Sequence, residues 1–205
     1  MRRSRGNVRQ PSARQGSESM VSVFSLWLPI LVSGVLVFVA SSVIHMVLNY
    51  HRHDYRALPD EDGVMDALRG FDIPGGTYSV PHAASREVLM SEAFQAKVKR
   101  GPVAFMTVLP AGRPLMRSSQ LVQWFVYCLV VSLLAAYVTG LGLGPGAEYM
   151  SVFKIASTAA VMGYALAHAQ DAIWTFQGWP ATARSMFDGV VYGLLTGGAF
   201  GWLWP

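Results

Sequence analysis

The stretch SSQLVQWFVYCLVVSLLAAYVTGLGL, residues 118–143, carries no formal charge from end to end. About 20 predominantly apolar residues are enough to cross a hydrocarbon core roughly 30 Å thick as a helix. This segment therefore predicts a transmembrane helix and makes lipid the solvent in which the rest of the chain is to be read. Three further stretches fit the same rule. Residues 20–48 are interrupted by Pro29 and His45, residues 149–169 hold Lys154 near the start and His168 near the end, and residues 186–204 hold Asp188 near the start. With 52% of its residues apolar and 14% charged, the chain is poor in charge for a soluble domain of 205 residues. The predicted fold is an all-α membrane protein, a four-transmembrane-helix bundle with a small extracytoplasmic α/β cap, residues 49–117, between the first and second helices.

Residues 1–19 hold Arg2, Arg3, Arg5, Arg9 and Arg14 against Glu18 and have no hydrophobic periodicity, so they read as a disordered basic tail. The apolar run that follows is much longer than the roughly 7–15-residue core of a signal peptide and reads as a retained anchor. Basic residues beside a first span favour the cytoplasmic side. That places the N-terminus inside and, after four crossings, the C-terminus inside as well. Lys154 then falls on the cytoplasmic side and Arg184 on the opposite one. Trp27, Trp124, Trp174, Trp179, Trp202 and Trp204 fall near predicted span ends, where amphipathic rings sit at headgroup depth. The net charge of +4 comes mainly from the tail, and nucleic acid is not an expected partner. Cys128 is the single cysteine, so no intrachain disulfide is possible.

Within the cap, residues 58–70 predict a short helix. Pro59 suits its first turn, Asp60, Glu61 and Asp62 favour its positive end, and Gly70 suits its exit. PGGTYSVPH reads as a turn and a strand, SREVLMSEAFQAKVKRG as one amphipathic helix ending at Gly101, and GPVAFMTVLPAG as a second strand. A two-stranded sheet is marginal on its own, so the cap is expected to rest on the helix ends.

The last predicted span places Gly189, Gly193, Gly197 and Gly201 four residues apart. A stripe without side chains lets another backbone approach closely, and such contact replaces the hydrophobic gain that lipid does not provide. Ser132, Ala136, Gly140 and Gly144 repeat the spacing in the second span, and Ala159, Gly163 and Ala167 in the third. Packing within one chain is the expected use of these stripes.

Ionisable residues inside a bilayer are costly and point to functional sites by default. In the predicted topology His45, His168 and Asp188 all lie at extracytoplasmic helix ends, and Asp171 follows His168 by three residues on the same helical face. The candidate ligand set is His45, His168, Asp171 and Asp188. A structural network in which these groups satisfy one another takes precedence over a metal or haem site, because no ligand motif of fixed spacing accompanies them. In VIHMVLNYHRHDY, residues 43–55, a helix continued past the membrane would turn His51 and His53 roughly 200° apart. It would also set His45 and His51 on different faces. Met46 reads as packing, and His82 has only a loop role.

The ordered combination of HRHDYRALPDEDGVMDALR (51–69), GPVAFMTVLP (101–110) and FDGVVYGLLTGGAFGWLWP (187–205) resembles a family of small four-span bacterial integral-membrane proteins with no assigned activity, over residues 21–205. The resemblance implies a bacterial inner-membrane location and adds no catalytic residue. The chain holds no glycine-rich phosphate loop, nucleophile elbow, paired-cysteine motif or zinc-protease helix motif. The expected function is non-enzymatic: a multi-pass inner-membrane protein serving as a structural or assembly subunit, with the lipid bilayer and other proteins of a membrane complex as partners. The alternative is a metal- or haem-binding redox component using His45 and His168. A second alternative, a small channel or transporter, rests on Asp171 and Asp188 without an inverted repeat or broken-helix pair.

Overall fold

The computed structural model describes residues 20–205, so the tail predicted over residues 1–19 lies outside the described residues. In chain order the elements are α1 (Trp27–Met46), α2 (Glu61–Arg69), β1 (Gly76–Val80), α3 (Arg86–Met90), α4 (Glu92–Arg100), β2 (Ala104–Val108), α5 (Ser118–Gly142), α6 (Tyr149–Val161), α7 (His168–Trp174) and α8 (Trp179–Leu203). A single 3-10 turn, Val23–Leu26, leads into α1 from a Ser22 cap. Pro29 falls in the first turn of α1, where its missing N–H has no helical partner to lose. A π turn over Met162–Leu166 lies between α6 and α7.

Three stretches, Val23–Met46, Ser118–Gly142 and Tyr149–Trp174, are long and apolar enough to cross a membrane. The fourth predicted span is not among them. α8 matches α5 at 25 residues, but Arg184, Asp188 and its glycines lower its hydropathy. It also begins at Trp179, ahead of the predicted residue 186, because Pro180 suits a first helical turn.

α8 is the inner member of the bundle. Ten of its residues are buried, against seven in α5 and six in α1. Leu31, Val35, Val39 and Val43, at helical spacing on α1, are exposed instead and form a lipid-compatible face. The glycine stripe meets the α6 run. A Cβ on Gly189 would stand 2.7 Å from backbone atoms of Tyr164 and Ala165, and one on Gly197 would stand 2.8 Å from the Phe153 carbonyl. Of the matching positions, Ser132 and Ala136 are buried on α5, and Ser132 accepts a 2.9 Å bond from Ser33 of α1. Gly163 lies against Val131, while Ala159 is only partly buried.

The cap differs from expectation in two places, the first being that α2 starts at Glu61 behind an Asp60 cap and leaves Pro59 outside the helix. The helix predicted across residues 85–101 is broken at Ser91, which ends α3 and caps α4 through the Phe94 N–H, just as Ser85 caps α3 through the Val88 N–H. A second capping serine offers the backbone an alternative to helix continuation. Asp60 caps α2 by accepting from the Gly63 N–H. The strands pair antiparallel, from Gly76 opposite Val108 to Val80 opposite Ala104. Among the described residues, none in α2, α3 or α4 is buried; the sheet meets the segment between α7 and α8 through Phe105, whose ring lies 5.6 Å from that of Phe176.

Candidate metal centre

The decisive local feature is where α1 stops. The helix ends at Met46, Leu48 is extended (φ −86°, ψ 120°), and a 3-10 turn over Asn49–His51 folds the chain back over the helix end. His51 consequently stacks on His45, with ring centroids 4.7 Å apart and planes within 9°. This corrects the expectation that the two rings point to different faces. That expectation assumed a continuous helix, whereas contacts made by Tyr50 and His51 far along the chain hold the turn.

Those contacts converge on Asp188 of α8, which is 2% exposed. Tyr50 donates its hydroxyl to Asp188 Oδ1, and His51 Nε2 lies 2.7 Å from Asp188 Oδ2. The other imidazole nitrogen, His51 Nδ1, lies 2.6 Å from Asp54 Oδ2. Arg184, one turn before Asp188 on the same face of α8, donates from Nε to Asp54 Oδ1 at 2.8 Å and also from its terminal nitrogen. Burial acts to lower the proton affinity of His51, but hydrogen bonds and charge from Asp54 and Asp188 outweigh it and raise its pKa. For Asp54, burial acts upward, yet the bonds from His51 and Arg184 prevail and its pKa is lowered. Burial, followed by the bond to Asp188, pushes the Tyr50 hydroxyl upward and keeps it a donor.

His45, His51 and Asp188 each offer a ligand atom, and the three atoms lie within 4.8 Å of one another. His45 Nδ1 lies 3.0 Å from the Ser41 carbonyl, which can only accept, so that nitrogen carries the proton. Both histidines thus have Nδ1 committed to an oxygen, which orients a ligating imidazole and fixes its tautomer. The two Nε2 atoms and the Asp188 carboxylate, whose oxygens now bond to Tyr50 and His51, make up the candidate donor set. In a tetrahedral ion with bonds near 2 Å the donors are about 3.3 Å apart, a spacing inside the 4.8 Å that bounds this group. The stacked rings leave no space between them for a macrocycle.

Beside this cluster lies a cavity of about 460 Å³, lined by Ser41, His45, Met46, Trp124, His168, Asp188 and Tyr192 among others. Trp124 braces the wall by donating its indole N–H to Ser41 Oγ at 2.7 Å. Of the four predicted ligands, His45 and Asp188 belong to the cluster, and His168 lines the cavity. Asp171 is exposed, 3.9 Å from His168 Nδ1, and the close group does not include it. Sequence reasoning did not find Tyr50, Asp54 or Arg184 and set His51 aside. The usable signal was the spacing of Arg184, Asp188 and Tyr192, one face of a helix presenting three polar groups.

No protein-family model, curated protein or solved structure matches the chain.

Proposed function

We propose that the chain is a four-span protein of the bacterial inner membrane, α8 included, with cytoplasmic termini, which binds one divalent transition-metal ion at His45, His51 and Asp188 near its extracytoplasmic face. The observation that carries this reading is the pair of Nδ1 anchors, Asp54 for His51 and the Ser41 carbonyl for His45. Two histidines and one carboxylate suit zinc or ferrous iron and leave coordination positions for water or another ligand. In the metal-free state a proton between His51 Nε2 and Asp188 occupies the place the cation would take. The ion replaces that proton and leaves the Asp54 bond intact. Bound there, it would supply Lewis acidity or a redox centre.

Cobalt titration of the detergent-solubilised chain tests the reading. One equivalent, with visible absorption displaced by zinc, is expected for the wild type and for His168→Ala and Asp171→Asn. His51→Ala and Asp188→Asn are expected to lose it. Cobalt spectra unchanged in the latter pair, with all variants melting normally, would refute the assignment.

A second reading, a structural or assembly subunit of a larger complex, draws support from the cap. No residue of its helices is fully buried, and Phe71 and Met90 stand exposed. It predicts co-purification of a stoichiometric partner in mild detergent, lost on deletion of residues 61–108.

A further inference from the structure

We infer that the cavity beside the metal cluster binds an uncharged lipophilic molecule with a carbonyl head, of the quinone-like class. The inference goes beyond the metal reading and stands without it, because the walls and the donors belong to the chain whether or not an ion is bound. At about 460 Å³ the space falls within the range of small-molecule sites, roughly 300–1,000 Å³, which are typically apolar with a few convergent polar groups.

The walls are apolar and come from separate elements. Met46 ends α1, Leu115 and Met116 belong to the segment joining β2 to α5, and Leu121 and Trp124 lie on α5. Leu115 and Met116 are 83% and 69% exposed, so an apolar body seated beneath them would remove surface from water that nothing else among the described residues covers. Asp188, His45 and Tyr192 line the polar side.

The charge pattern selects the head. A carboxylate ligand would meet Asp188 in a poorly hydrated site, where like charges repel strongly. An amine would have to share Asp188 with Tyr50 and His51, which already bond to both of its oxygens. Two of the groups left over are donors. Tyr192 is buried on the cavity wall, and its hydroxyl has no hydrogen-bond partner among the described residues. Gln120 uses Oε1 to accept from the Arg117 N–H, which leaves its amide NH₂ to donate. Unused donors beside apolar walls match an acceptor oxygen on an apolar frame.

The experiment titrates the detergent-purified full chain with decylubiquinone, with oleate as the acidic comparison, following saturable tryptophan quenching and the melting temperature. Each titration is run with and without chelator. Saturable quinone binding that raises the melting temperature is expected in both, with oleate weaker. Tyr192→Phe should weaken quinone binding on the order of tenfold without lowering the melting temperature of the unliganded chain, because its hydroxyl has no partner to lose. Leu121→Trp, which fills the cavity from its lipid-side wall, should abolish saturation. Oleate binding more tightly than the quinone, no saturation in the wild type, or saturation unchanged in Leu121→Trp would each overturn the inference. Quinone binding in a chain that fails to take cobalt would sink the metal reading alone.

Discussion

The two ends of the bundle are built from the same helices on opposite principles. At one end Val21, Leu26, Ala136, Val152, Ala156 and Phe200 form an apolar cluster, finished by Trp204 donating its indole N–H to the Gly144 carbonyl at 2.9 Å. At the other, α8 presents Asp188 to Tyr50 and His51. The apolar end shows that closing this bundle requires no titratable group. A buried carboxylate bridged to a histidine is costly to desolvate and often replaceable by apolar side chains without loss of stability. The polar end is therefore not accounted for by closure of the bundle alone, which is what the proposed ion site would require.

If that contrast is right, damage at the apolar end should cost stability and damage at the polar end should cost binding. Phe200→Ala is the largest expected effect, about 3–5 kcal/mol of stability, with cobalt affinity unchanged in the fraction that remains folded; thermal melts and titration of one sample check both. Gly189→Ala tests the seam next. Its Cβ has backbone on its far side, so overpacking of about 1–3 kcal/mol should appear as a lower melting temperature in the same assay. At the polar end, Asp54→Asn should weaken cobalt binding roughly 10- to 100-fold, as losses of a ligand's orienting carboxylate do, with a loss of melting temperature smaller than that of Phe200→Ala. Because the ion displaces a proton from His51, affinity should also fall as pH is lowered, a trend that titrations at several pH values would show. Phe71→Ser on the cap is the smallest: within about 0.5 kcal/mol for the isolated chain, and informative only if it releases a co-purifying partner. Equal effects of Phe200→Ala and Asp54→Asn on both readouts would erase the distinction between the ends.

The membrane helices were legible because hydropathy is a local property: residues 118–143 needed no knowledge of any neighbour. The glycine stripe of α8 was legible for the same reason, since its period sits within one helix. The predicted fourth span was less so, because α8 buries Asp188 inside the bundle and is not among the helices apolar enough to cross a membrane. The centre itself was half legible. His45 and Asp188 stood out as titratable groups in apolar runs, but His51 reaches the cluster through a turn fixed by bonds to a residue 137 positions away. No local pattern encodes that fold-back. The break at Ser91 was the opposite case, a local capping signal present in the sequence and overridden in the reading by amphipathic periodicity.

The π turn over Met162–Leu166 has a consequence for how this chain tolerates change in length. A π turn is what one surplus residue looks like when a helix absorbs it without unwinding. Here the widened turn leaves the Gly163 carbonyl to accept the Tyr127 hydroxyl at 2.7 Å and sets the angular phase of everything that follows, His168 included. Shortening this turn by a single residue would swing the following helix by roughly 100°, carrying His168 off the cavity wall while leaving the hydropathy of the span almost untouched.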